Sequence, residues 1–147
     1  MTPIDEISVQ EKLAKLRTVV DKLEQLRQES AEEFLENFQI SDSALHNLTI
    51  GVEVIVDIGN HFLAEVYQQK VESYADVIGK LGDVKIVPEK FARENVDMAK
   101  FRNLIIHEYG IIDLSKAYEY LQKAPDIFRQ FAQYFADFLQ RQAKKGD

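Results

Sequence analysis

The chain has 147 residues, enough for one domain with a proper core and too few for two comfortable ones. Its composition, 46% hydrophobic and 29% charged residues, excludes extensive disorder. Because there is no cysteine, a disulfide framework, a thiolate metal site and a cysteine nucleophile are excluded. No apolar run approaches membrane-spanning length, and the acidic N-terminus lacks the apolar region of a signal peptide. We therefore expect a single cytoplasmic domain over residues 1–147 with no membrane partner.

The first predicted helix begins near a pair with capping-box spacing, Ser8 and Glu11. Apolar residues follow this pair three and four positions apart, as on one face of a helix: Leu13, Leu16, Val20 and Leu23. The pattern predicts either one helix to about residue 37 or a restart at Ser30 and Glu33, which repeat the capping spacing.

The second predicted helix follows a turn and N-cap cluster at residues 41–43. Its apolar face has the same spacing and consists of Leu45, Leu48, Val52, Ile55, Gly59, Phe62 and Val66. Gly51 and Gly59 lie inside this helix, where glycine costs stability. We therefore expect another backbone to come close to this helix.

Three further helices are predicted in the second half of the chain. A short helix begins at Ser73 and runs through Leu81, with Gly82 as its C-cap. The next helix has Pro88 in its first turn and continues to about residue 109. Asp113 caps the last helix, in which apolar residues recur every seven positions across Pro125. Since this register passes the proline unbroken, we expect one long helix kinked at Pro125. The predicted fold is an all-α bundle of about five helices whose long members pair antiparallel.

The negative charge of the chain, −7 in total, is concentrated in one region. Residues 28–69 contain no Lys or Arg, whereas the rest of the chain is almost neutral, with eighteen basic and seventeen acidic residues. The eight acids of the region are Glu29, Glu32, Glu33, Glu36, Asp42, Glu53, Asp57 and Glu65. A solvated acidic face is the favoured interpretation and a docking surface is the alternative. In either case nucleic acid should not bind there.

The strongest functional signal is the segment at residues 101–109, Phe-Arg-Asn-Leu-Ile-Ile-His-Glu-Tyr. Arg102 is a permanent cation whose planar fork of donors matches phosphate oxygens. His107 can take and give protons near neutral pH. Together they are the minimum set for cutting a phosphodiester without a metal. Taken alone, such a motif is more often a surface salt bridge and a satisfied helix-end histidine.

Helical geometry separates these two candidate catalytic residues. At about 100° per residue, Arg102 and Tyr109 fall within about 20° of each other, whereas His107 points about 140° away from Arg102. The same-face neighbour of His107 is Asn103, four residues earlier. One regular helix therefore cannot aim Arg102 and His107 at one phosphate. Either the helix end is distorted, or a two-fold dimer completes each site from its partner chain.

A second group of ionisable residues follows the second helix at four-residue steps: Glu53, Asp57, His61 and Glu65. A metal site inside the bundle is one interpretation, but the Glu-x-x-His pairs of di-metal bundles are missing. We favour a polar stripe, with Asp57 and His61 near the active cleft, and we expect neither a metal nor a cofactor.

Three segments of the chain together carry a family resemblance. The first is the motif itself, in the form RN-xxx-H-x-Y: Arg102, Asn103, His107 and Tyr109. The others are Asp57-Ile58-Gly59-Asn60-His61 on the second helix and Ile111-Ile112-Asp113 before the last helix. Over nearly its whole length the chain resembles the HEPN-domain ribonuclease toxins of the HepT type. Pro125 departs from the continuous last helix expected of that family.

The resemblance implies a metal-independent RNase that cleaves cellular RNA, tRNA or mRNA, as a homodimer with paired motifs at its interface. Arg102 would hold the scissile phosphate and His107 would act as general base or acid. The supporting residues would be Asn103, Asp57 and His61. Family members are toxins inhibited by a minimal nucleotidyltransferase of the MntA type, which transfers AMP to the motif tyrosine, here Tyr109. The alternatives are a catalytically silent HEPN module that binds a nucleotide or protein, and a helical adaptor in which the motif is incidental.

Overall fold

The computed structural model describes residues 4–101 and 113–145. Within these ranges the helices are α1 (Glu6–Leu26), α2 (Ala31–Glu36), α3 (Phe38–Tyr67), α4 (Tyr74–Asp83), α5 (Glu89–Asn95) and α6 (Leu114–Lys145). Residues 97–101 are also helical, and the described ranges contain no strand. The predicted all-α class is confirmed. None of the helices in these ranges is both long and apolar enough to cross a membrane.

The first long helix, α1, runs antiparallel to the other two long helices. At one end of the bundle, the backbone N–H of Asp5 donates to His61 in the second half of α3. At the other end, Arg27 follows α1 and donates to the carbonyl of Gln122, near the start of α6. The apolar face of α1 is buried between α3 and α6, which confirms the predicted three-four pattern.

The other two long helices, α3 and α6, run parallel to each other. Gly51 in the first half of α3 lies against Phe128, and Phe62 in its second half packs against Phe135, with ring centroids 5.7 Å apart. Residues further along α3 therefore pack against residues further along α6. The aromatic rings between the two helices are fully buried and form the centre of the core.

The start and end of α1 are set by side-chain caps. Asp5, and not Ser8, is the N-cap, since its carboxylate accepts the backbone N–H of Ser8 at 3.1 Å. The predicted Ser8 cap is therefore wrong by three residues. After Leu26 the chain leaves the helix, and the hydroxyl of Ser30 accepts the N–H of Glu33 at 3.1 Å to begin α2. The restart at Ser30 is confirmed.

Residues 41–43, predicted to form a turn, lie inside α3. The cap is Asn37, whose side chain accepts the N–H of Gln39 at 3.0 Å. Ser41 is buried, and its hydroxyl donates to the carbonyl of Phe38 at 3.4 Å. Because this serine bonds back to its own helix, it does not compete for a helix start, and α3 continues through it.

The interior glycines of α3 make room for side chains and not for a backbone. A Cβ atom added to Gly51 would overlap the ring of Phe128, and one added to Gly59 would lie 2.9 Å from a methyl of Leu81. The expected close approach is confirmed, but the expected backbone neighbour is wrong. The missing Cβ atoms let α6 and α4 insert large apolar groups against α3.

The fourth helix begins where the sequence predicts, because the hydroxyl of Ser73 accepts the N–H of Asp76 at 3.0 Å. Its end differs from the prediction. Gly82 lies inside α4 and is buried, and a Cβ atom there would be 2.6 Å from that of Ala92. This glycine is needed for the close packing of α4 on α5 and does not end the helix.

The helix predicted from Pro88 to about residue 109 is interrupted. α5 ends at Asn95, Val96 forms a turn, and helix resumes at residues 97–101. The amide of Asn95 is buried and donates to the carbonyl of Phe91 at 2.8 Å. This bond lies in the last turn of α5, but Asn47 makes the same bond inside the unbroken helix α3, so it does not by itself explain the interruption.

The last helix spans 32 residues and includes Pro125. It begins as predicted, since the carboxylate of Asp113 accepts the N–H of Ser115 at 2.9 Å. The residues with seven-residue spacing that are buried are Ala117, Leu121, Ala124, Phe128, Phe131, Phe135 and Phe138. The unbroken register across Pro125 is confirmed, and a kink there stays a prediction.

Candidate functional site

All four motif residues lie outside the described ranges: Arg102, Asn103, His107 and Tyr109. The structure does describe the residues on either side of the motif segment. Phe101 ends one described range, and Asp113 begins the next as the cap of α6. The described residue after the segment, Asp113, therefore lies at the N-terminal end of α6.

The chain leading into Arg102 is anchored on α6. The ring of Phe101 packs on that of Tyr120, with centroids 4.9 Å apart, and Met98 and Ala99 are buried. These apolar contacts hold residues 97–101 against the first third of α6. The residue directly before Arg102 is therefore held on α6 by apolar packing.

The hydroxyl of Tyr120 is buried and has no hydrogen-bond partner among the described residues. Burial raises the pKa of this phenol well above its usual value, so the group stays protonated and can only donate or accept as a neutral hydroxyl. An unpaired buried hydroxyl costs about 1–3 kcal/mol. By contrast, Tyr118 on the same helix donates to the carbonyl of Glu29 at 2.7 Å. The sequence alone cannot distinguish these two tyrosines, and Tyr120 was not predicted.

A groove of about 350 Å³ lies between residues 94–101 and α6. It carries both charge signs, and its lining residues are Glu94, Asn95, Asp97, Met98, Phe101, Lys116, Glu119, Tyr120, Lys123 and Ile127. Lys116 and Lys123 are exposed, are seven residues apart on α6 and so share a face. Neither lysine was predicted as a site residue from the sequence.

The structure does not show the two predicted supporting residues of α3 in contact with the described residues that flank the motif. His61 is partly buried, and its Nε2 atom accepts the backbone N–H of Asp5 at 3.0 Å. Asp57, one turn earlier, is exposed. Among the described residues, no hydrogen bond or ion pair joins either side chain to Phe101 or Asp113. The observed role of His61 is to hold the start of α1, and a supporting role at the motif stays a prediction.

The polar stripe on α3 does not form a recognisable metal centre. Within residues 4–101 and 113–145, no three His, Asp or Glu side chains lie close enough together to hold a metal ion. The stripe residues Asp57 and Glu65 are exposed to solvent.

An all-α bundle with an arginine–histidine motif directly before its last helix defines a HEPN-type ribonuclease domain. The profile of the ribonuclease HepT-like family matches residues 16–135, and the chain belongs to this family. Membership confirms both the resemblance and the predicted enzyme class, a ribonuclease.

Two relatives are similar to the chain over most of their length. The tRNA nuclease HepT of Aphanizomenon flos-aquae is 23% identical over 138 residues, which cover 91% of this chain and 94% of that protein. The mRNA nuclease HepT of Shewanella oneidensis is 22% identical over 120 residues, which cover 82% of this chain and 90% of that protein.

Solved structures show the same fold. A tri-AMPylated HEPN toxin of Shewanella oneidensis, in complex with an MNT antitoxin, matches with a TM-score of 0.80 at 21% identity, covering 88% of this chain and 96% of the other. The cytosolic protein YutE of Bacillus subtilis, described as of unknown function, matches with a TM-score of 0.82 at 20% identity, covering 96% and 94%.

Proposed function

We propose that this chain is the toxin of a toxin–antitoxin pair. It is a homodimeric, metal-independent endoribonuclease that cleaves tRNA or mRNA, and a nucleotidyltransferase of the MntA type neutralises it by adding AMP to Tyr109. The observation that carries this proposal is the Arg102–His107 motif in a member of the ribonuclease HepT-like family. The tRNA and mRNA nuclease relatives support RNA as the substrate. The AMPylated toxin bound to its antitoxin supports the mode of control.

The chemistry follows from the two motif side chains. Arg102 binds the scissile phosphate and offsets the charge that develops on it in the transition state. His107 takes the proton of the neighbouring ribose 2′-hydroxyl, and the 2′-oxygen attacks phosphorus. The bond from phosphorus to the 5′-oxygen breaks, and an imidazolium returns a proton to this leaving oxygen. The products are a 2′,3′-cyclic phosphate and a 5′-hydroxyl end.

A dimer reconciles this chemistry with helical geometry. Because His107 diverges by about 140° from Arg102 on a regular helix, each phosphate is bound by the arginine of one copy and met by a histidine of the other. Two copies also supply one histidine as base and one as acid. Asn103 orients His107 in this arrangement.

The proposal is tested with purified protein and cellular RNA. His107→Ala and Arg102→Ala should each abolish cleavage while the melting temperature stays nearly unchanged, whereas His46→Ala, at an exposed histidine of α3, should leave cleavage intact. EDTA should have no effect, and a substrate with a single 2′-deoxy nucleotide at the cut should resist. Activity that is lost in EDTA and restored by a divalent ion would contradict the metal-free mechanism. A protein that binds its partner but never cuts RNA would be the silent module.

The control mechanism has its own test. AMP on Tyr109 adds negative charge and bulk on the Arg102 side of the helix, where the substrate phosphate must bind. Coexpression with the cognate nucleotidyltransferase should give an inactive chain that is heavier by whole AMP units, all on Tyr109. Tyr109→Phe should escape modification and stay toxic, while Tyr134→Phe should be modified normally. Peptide mapping decides the matter, since an unmodified Tyr109 in a neutralised complex would mean inhibition by occlusion.

A further inference from the structure

Two large apolar side chains are exposed where α2 meets α3. Phe38 is 70% exposed and Leu35 is 44% exposed, whereas Phe34 between the same helices is fully buried. Four exposed carboxylates lie in the same stretch of α2 and α3: Glu32, Glu33, Glu36 and Asp42. We call these six residues the corner patch. Neighbouring exposed apolar groups among polar residues are a candidate surface for binding a protein.

The corner patch keeps its negative charge within the described chain. No Lys or Arg occurs from residue 28 to residue 69. Arg27, the nearest cation along the chain, is held by Glu24 and Asp126. None of the ion pairs among the described residues includes a carboxylate of the patch. This part of the surface therefore combines two exposed apolar groups with four carboxylates that have no ion pair within the described residues.

The patch lies at the same end of the bundle as Phe101, the last described residue before the motif. Behind it, the ring of Phe34 packs on Tyr118 of α6, with centroids 5.2 Å apart. The chain that leads into Arg102 packs on Tyr120, only two residues further along α6. Residues two apart on a helix point to nearly opposite sides, and a helix with its side chains is about 10–12 Å wide. A protein bound at the patch is thus near the N-terminal part of α6, against which Phe101 also packs.

The negative charge of the corner patch restricts which partners can bind to it. The phosphates of RNA are repelled by the carboxylates, as are the headgroups of an anionic membrane. A second copy of this chain, related by a two-fold axis through the patch, would place acid against acid. The complementary surface is a protein with an apolar pocket rimmed by Lys and Arg.

We propose that the corner patch is the docking surface for the nucleotidyltransferase partner, which receives Phe38 and Leu35 in a basic-rimmed apolar pocket. This inference rests on the proposed function, since it places on the fold the protein that modifies Tyr109. Docking at the corner anchors the transferase on a surface that RNA avoids. Its active site then reaches across the N-terminal end of α6 to the tyrosine.

The test compares Leu35→Ala/Phe38→Ala with Ile7→Ala. Ile7 is 75% exposed in the first turn of α1, beside Asp5 and His61 at the other end of the bundle, so it is a matched loss of exposed apolar surface. Affinity for the purified cognate nucleotidyltransferase is measured by calorimetry, AMP transfer by intact mass, RNA cleavage without the partner, and toxin mass by light scattering. A third variant, Glu32→Lys/Glu36→Lys, is titrated with the partner at several salt concentrations.

The double alanine variant should bind the transferase at least tenfold more weakly and accept AMP correspondingly slowly at limiting partner. Its RNA cleavage and dimer mass should be unchanged, and Ile7→Ala should behave as wild type. Binding by wild type should weaken with salt, and the lysine variant should lose most of this dependence. Unchanged affinity in the double variant overturns the docking proposal and leaves the proposed function standing. A loss of dimer mass or of RNA cleavage in this variant, with affinity for the transferase retained, has the same consequence. Absence of both binding and AMP transfer in wild type refutes the two proposals together.

Discussion

Gly51 lies in the first half of α3, facing the ring of Phe128 on α6. In an isolated helix, alanine is more stable than glycine because glycine loses more backbone entropy on folding. Here the ring occupies the place of the missing methyl group, so packing opposes the local preference. Gly79 in α4 offers the contrast, since a Cβ atom there would meet nothing within 4 Å.

Gly51→Ala should lower the free energy of unfolding by about 1–3 kcal/mol, because an overpacked core must displace Phe128. Gly79→Ala should raise it by roughly 0.5–1 kcal/mol through helix propensity alone. Urea unfolding at one fixed protein concentration measures both, which keeps any effect of dimerisation constant. Stabilisation by both substitutions would show that the Phe128 ring moves aside at little cost.

At the scale of a helix, α4 shows how a few polar side chains fix a terminus. Ser73 caps the helix, and the carboxylate of Asp76 accepts the backbone N–H of Glu72 at 3.0 Å. Lys80 lies one turn further on, 3.2 Å from the same carboxylate. The hydrogen bond from Glu72 and then the contact with Lys80 lower the pKa of Asp76 below its ordinary value.

Since the pKa of Asp76 is lower in the folded state, its carboxylate contributes stability above the unfolded value of about 3.9 and loses it as the pH falls through the folded value. Asp76→Asn should therefore be less stable than wild type at pH 7, and the difference should shrink below about pH 4. Urea unfolding between about pH 2.5 and about pH 7 measures this difference in stability. Asp83→Asn is the control, because Asp83 is exposed at the far end of α4. A constant difference at all pH values would contradict the electrostatic origin.

At the scale of the whole molecule, the proposed site requires two chains. Arg102→Ala and His107→Ala homodimers should each be inactive. A mixed dimer of the two variants keeps one complete Arg–His pair but lacks the second histidine. It should therefore cut RNA faster than either parent and at less than half the wild-type rate. Differently tagged chains, coexpressed and purified through both tags, provide this mixed dimer. If it is inactive while a mixed dimer of wild type and either variant cuts RNA, the two chains do not share a site.

Local features of the fold could be predicted from the sequence because their causes are local. The caps at Ser30, Ser73 and Asp113 depend on groups two or three residues apart. The helical faces follow from a 3.6-residue period, and the same period predicted that α6 continues through Pro125. Where two short-range signals competed, the prediction failed: Asp5 and not Ser8 capped α1, and Ser41 bonded within α3. The candidate motif could likewise be recognised in the sequence from its residue types and their spacing.

The helical class, most helix starts, the acidic region and the motif could be read from the sequence, since each depends on neighbours along the chain. Which surface each helical face meets became clear only from the packing of the helices. Only packing separates buried Phe34 from exposed Phe38. It likewise separates Tyr118, which is hydrogen-bonded, from Tyr120, which has no partner among the described residues. It also gave His61 a partner 56 residues away. Periodicity predicts which face of a helix is buried. The surface that covers this face depends on how helices distant in the sequence pack together.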